Sequence, residues 1–93
     1  MRGDSMATLC MFYGIVISMY NEANERHHLG RIHAKCAGFR ASIGFDGRVL
    51  SGELPFKKLT LVRAWIVLHR EELEADWALL GEGREAFRIE PLR

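Results

Sequence analysis

The sequence predicts an α+β domain, a largely antiparallel sheet of four to five strands with one or two helices packed on one face. Three observations carry this. Residues 31–45 alternate apolar and polar at a period of two. Asp46-Gly47 interrupts two such runs as a hairpin signal. After Pro55 the apolar spacing changes to threes and fours, the period of a helix with one buried side.

The elements follow in order. Met1–Ser5 (MRGDS) is polar, has no periodicity and precedes a second methionine, so residues 1–5 read as a disordered N-terminal extension and residues 6–93 as one domain. The first strand is expected from Phe12 to Tyr20, with Gly14 near its beginning and β-branched Ile15, Val16 and Ile17 at its centre. The apolar stretch from Met6 to Tyr20 is too short to cross a bilayer and no small-x-small cleavage site follows it, so it reads as core rather than targeting segment. Asn21–Gly30 (NEANERHHLG) is a polar loop. The next strand turns Ile32, Ala34 and Cys36 inward and Arg31, His33 and Lys35 outward. Ala37-Gly38 reverses the chain. Phe39, Ala41, Ile43 and Phe45 then face inward and Arg40, Ser42 and Gly44 outward. A type I′ turn at Asp46-Gly47 leads to a strand over Arg48–Leu54.

Pro55 suits the first turn of a helix. Leu59, Val62, Ile66, His69 and Leu73 form one apolar stripe, with Leu61, Trp65 and Leu68 beside it, which predicts a broadly buried first helix. Beyond His69 the pattern thins to Leu73, Trp77 and Leu80, a more exposed second half or a second helix after a bend, ended by Gly81 and Gly83. Ala86–Glu90 alternates again before Pro91 and is expected as a short last strand.

Composition bounds the function. Ninety-three residues leave no room for a second core, and 48% apolar content excludes a disordered chain. Thirteen Lys and Arg against twelve Asp and Glu give a net charge of +1, so there is no whole-molecule field to attract nucleic acid or an anionic membrane. A basic site must be a local patch. Cys10 and Cys36 are far apart and lie in no metal-like spacing, which predicts two buried free thiols and a cytoplasmic location. No cofactor is called for, and no Gly-rich phosphate loop, nucleophile elbow or H-E-x-x-H motif is present.

The blocks MFYGIVISMY, HHL-x-x-IHA, DGRVLSGELP, LVRAWIVLHREEL-x-x-DW and F-x-IEPLR, in this order, resemble a small prokaryotic family, domain of unknown function 4160. The resemblance runs from Met6 to Arg93. It implies a short stand-alone protein without an established activity, belonging to a toxin–antitoxin-like gene pair. The family's stretch HHLPHIHA is matched at His27, His28, Leu29, Ile32, His33 and Ala34, with Gly30 and Arg31 where the family commonly has Pro and His.

Four sets of residues are candidates for function. His27, His28 and His33, with Glu22 and Glu25 nearby, are the weak candidates for a metal site; His27 and His28 are adjacent and Arg31 puts a cation between potential ligands, so no metal is assigned. Arg31, His33, Lys35 and Arg40 form an outward stripe able to meet phosphates, with Arg26 extending it and Tyr20 available for stacking. His33 is the candidate general acid or base for metal-free RNA cleavage, the cations stabilising phosphate charge. On the helical side Glu71, Glu72, Glu74 and Asp76 make a solvated acidic run, Trp65 belongs to the core, and Trp77 is either core or a partner-interface anchor.

The sequence therefore favours a binding or regulatory module acting through a small protein partner or a homodimer. RNA or DNA contact comes second, and no membrane is involved. An enzyme is the less favoured class: a small ribonuclease using the His/Arg/Lys patch, or a metal-dependent hydrolase on the histidine-rich loop.

Overall fold

A computed structural model describes residues 6–20 and 30–93. The extension expected over residues 1–5 and the loop residues 21–29 lie outside the described residues.

The strand expected over Phe12–Tyr20 is instead part of a hairpin. Tyr13 and Gly14 take φ of 49° and 77°, the left-handed pair of a two-residue turn, and separate β1 (Met6–Phe12) from β2 (Ile15–Tyr20). Apolar residues on both sides of this turn hide it in the sequence. β3 (Arg31–Cys36) and β4 (Phe39–Gly44) are joined at Ala37-Gly38, with φ of 48° and 88°. β5 (Val49–Glu53) completes an antiparallel sheet in the order β1-β2-β3-β4-β5.

The β4–β5 connection corrects the expected type I′ turn. Gly47 has φ of 88°, but Asp46 stays at negative φ. The Gly47 N–H donates to the Gly44 carbonyl at 2.8 Å, and the Gly44 N–H donates to the Arg48 carbonyl at 2.8 Å, which closes a three-residue loop with glycine in its left-handed position. Asp46 Oδ1 accepts the Arg48 N–H at 2.9 Å, which holds its carboxyl below the usual range.

Inward residues of the sheet, among them Ile15, Ile17, Met19, Ile32, Ala34 and Ile43, pack with Val62, Trp65 and Ile66 of α1 (Phe56–Leu68) and Leu73 and Leu80 of α2 (Arg70–Gly81) in one core. Phe39 lies opposite the buried Cys36, on the inward side that its alternation requires, but as the first residue of β4, beside the turn, it stays 41% exposed. Pro55 stands at the N-cap of α1, one residue before its first turn, and the chain bends at His69 into α2. At the C-terminus of α2, Gly83 at φ of 78° allows the Arg84 N–H to reach the Leu79 carbonyl and the Gly83 N–H that of Leu80. This pair of bonds satisfies the last carbonyls of the helix.

The expected broadly buried α1 is buried on one side only. Phe56, Val67 and Leu68 are 78%, 77% and 67% exposed. The expected last strand over Ala86–Glu90 is also corrected, for this segment forms no ladder. β1 bulges between Thr8 and Cys10, and the Leu9 carbonyl accepts a single bond from the Ile89 N–H at 3.1 Å. Helical side chains take neighbouring backbone groups: Trp65 Nε1 donates to the Glu90 carbonyl at 2.8 Å, and Asp76 Oδ1 accepts the Phe87 N–H at 2.9 Å. The C-terminal segment is thus a strap between β1 and the helices.

Candidate functional site on the uncovered sheet face

Because the helices cover one face, the pleat alternation sends every second side chain to the other. Strand register then sorts these side chains into rows across the sheet. One row is Met11, Val16, Lys35, Arg40 and Glu53; the next is Thr8, Ser18, His33, Ser42 and Ser51. The second row contributes four hydroxyls and one imidazole from five different strands.

The second row, with Val16, Lys35 and Arg40 of the first and with Tyr20, lines a concavity of about 560 Å³. The Tyr20 ring meets His33 edge-on, with centroids 4.4 Å apart and planes at 72°. Tyr20 therefore shares the face of the basic stripe. Ser18 and Ser42, on either side of His33, are 6% and 5% exposed. Ser42 Oγ is buried and has no hydrogen-bond partner among the described residues.

Lys35 and Arg40 are cross-strand partners, and His33 and Ser42 are the next outward pair. Arg31 is half-buried at the start of β3 and pairs with Gly44. Glu53 stands opposite Arg40 on β5, so it tempers the positive charge at that border. The predicted stripe of Arg31, His33, Lys35 and Arg40 thus occupies one face, as its alternation required. Arg26, His27 and His28 lie outside the described residues.

Among the described residues no group of three or more His, Cys, Asp or Glu side chains could hold a metal. His69, on the helical side, bonds Glu72 and packs against Trp65 at 5.4 Å. Cys10 and Cys36 are buried free thiols; burial pushes the Cys10 thiol up to about 11, partly opposed by Arg88, and this disfavours the reactive thiolate. At Gly30, where the chain departs from the resemblance, a Cβ would lie 2.2 Å from the Phe45 ring. That ring fills the place of a side chain.

Trp77 is half-buried and packs edge-on against Phe45, with centroids 6.0 Å apart. What the helices expose is another set. Phe56, Thr60, Ala64 and Val67 follow helical spacing along the outer side of α1, with Leu68 beside them, and the Thr60 hydroxyl is turned to the Phe56 carbonyl at 3.0 Å. The spacing of 56, 60, 64 and 67 was the available signal for this stripe. Thr8, Ser18, Ser42 and Ser51 were missed for a different reason, since only register brings them into one row.

Among the described residues, no helix is long and apolar enough to cross a membrane. A family model described as "Domain of unknown function (DUF4160)" matches residues 14–78. No curated protein and no solved structure matches the chain.

Proposed function

Since the chain belongs to the family of domain of unknown function 4160, whose description names no activity, we propose from the sheet itself that it is a binding module of the reducing cytoplasm. Its working surface is the uncovered sheet face, and its ligand is an extended single strand of RNA. The observation that carries this reading is the row Thr8, Ser18, His33, Ser42 and Ser51 running beside the Lys35–Arg40 pair. Hydroxyls donate to phosphate oxygens, the cations neutralise them, and the Tyr20 ring offers a surface for a base. Strands stand ~4.8 Å apart, so the row spans ~19 Å, enough for a short stretch of extended chain.

The near-zero net charge accords with weak, local binding. Two phosphate contacts on Lys35 and Arg40 give a slope of roughly −1.4 in log affinity against log salt. Fluorescence anisotropy with an unstructured RNA dodecamer tests this. Lys35→Ala with Arg40→Ala should abolish the salt-dependent part of the binding; no affinity at low salt, or the same affinity in the double variant, sinks the reading.

A specific observation favours a second reading. The apolar stripe of Phe56, Ala64, Val67 and Leu68 on α1 is uncovered, and such a stripe suits a small protein partner or a second copy of the chain, as in a toxin–antitoxin-like pair. Sedimentation of the protein alone, and of Val67→Glu, tests self-association. A monomer at all concentrations removes the homodimer.

A further inference from the structure

On adjacent strands β3 and β4, two successive outward pairs, His33 with Ser42 and Lys35 with Arg40, form a four-cornered group at the centre of the concavity. Its edges are ~5 Å across the strands and ~7 Å along them, within reach of long side chains on a shared ligand. Three corners carry nitrogen donors and the fourth carries a hydroxyl. That hydroxyl is the telling one: Ser42 lines the concavity at 5% exposure, and its Oγ is buried with no hydrogen-bond partner among the described residues. A buried polar atom without a partner costs stability, so its presence calls for an explanation.

We infer that this group is a phosphate pocket, in which the Ser42 hydroxyl donates to one oxygen of a phosphoryl group and Lys35 and Arg40 supply the opposing charge beside the His33 ring. The inference rests on the sheet-face reading above and names the part of the ligand that the centre of the face takes. Two permanent cations beside a hydroxyl donor suit a phosphoryl group: a terminal or free phosphate carries charge enough for both, and beside a singly charged diester Glu53, opposite Arg40, offsets part of the second. The phosphoryl group can come from the 5′ end of a strand, from an internal diester or from free phosphate.

The test compares the intact protein with Ser42→Ala for binding of a 5′-phosphorylated hexanucleotide, its 5′-hydroxyl counterpart and inorganic phosphate. Ser42 Oγ makes no hydrogen bond among the described residues, so the substitution should not lower the thermal unfolding temperature; Lys35→Gln, at an exposed position, is the second variant. Each variant should weaken RNA binding about tenfold. A loss confined to the phosphorylated strand assigns the pocket to the terminal phosphate, and an equal loss on both strands assigns it to an internal one. Undiminished binding of both strands by both variants overturns the pocket and leaves the sheet-face reading standing. If the intact protein binds no RNA, yet inorganic phosphate shifts the amide resonances of His33 and Ser42 and Ser42→Ala abolishes that shift, the RNA reading falls and the pocket stands.

Discussion

Asp76 and Phe87 are joined by one hydrogen bond, 2.9 Å from the Phe87 N–H to Asp76 Oδ1, in a residue only 2% exposed. The second carboxylate oxygen, Oδ2, is buried without a partner among the described residues. Burial raises the affinity of this carboxyl for a proton, the Phe87 N–H opposes that rise, and the nearby Glu72 adds to it. Its folded value thus lies above the unfolded ~3.9, and the folded state holds the extra proton in the interval between them. Stability must fall as pH rises through that interval and then level off. Asp76→Asn keeps an acceptor for Phe87 and has no proton to lose. Urea unfolding between pH 4 and pH 7 should show a decline in the native protein that the variant lacks; parallel curves would contradict this assignment.

Trp65 links the helical layer to the C-terminal strap. It is fully buried, and its indole N–H reaches the Glu90 carbonyl. Trp65→Phe removes the donor and leaves a gap. Denaturant unfolding should show a loss of about 2–3 kcal/mol, combining an unmatched carbonyl with lost packing.

Ala37 occupies the left-handed region at φ of 48°, directly before Gly38 at 88°. Asparagine tolerates that region better than alanine, and Asn-Gly is the favoured pair for this turn. Ala37→Asn should raise stability by about 0.5–1 kcal/mol, read as an increase in denaturation midpoint without a change in slope.

Gly52 fails in the opposite sense. At φ of 76° its added Cβ would lie 2.2 Å from the Arg40 carbonyl oxygen, part of the backbone of the neighbouring strand. Gly52→Ala should cost about 2–4 kcal/mol and loosen β5 from β4. Hydrogen exchange checks the location: protection should drop along β4 and β5 and remain in β2 and β3.

Most of the architecture was legible in the sequence where periodicity and turn chemistry agree. Alternation over residues 31–45 placed β3 and β4 and put His33, Lys35 and Arg40 on one face. The Tyr13-Gly14 turn was hidden because Tyr13 is an unusual occupant of a left-handed position and apolar residues flank it. Ala86–Glu90 carries strand-like alternation, but the Leu9 bulge offers it a single bond while Trp65 and Asp76 hold its other groups. Of the candidate site, the charged corners could be read from one stretch of chain. The serine row could not, because it depends on the register of five strands and on a bulge in two of their pairings.

The strand order follows chain order without a crossover. Each strand therefore finds its partner in the segment just before it, so the sheet has low contact order and can assemble by successive hairpins. The helices come last in the chain. During synthesis a finished sheet would wait, its inner side bare, until Val62, Trp65, Ile66 and Leu73 emerge to cover it, an interval in which the nascent chain is exposed to aggregation and to capture by chaperones.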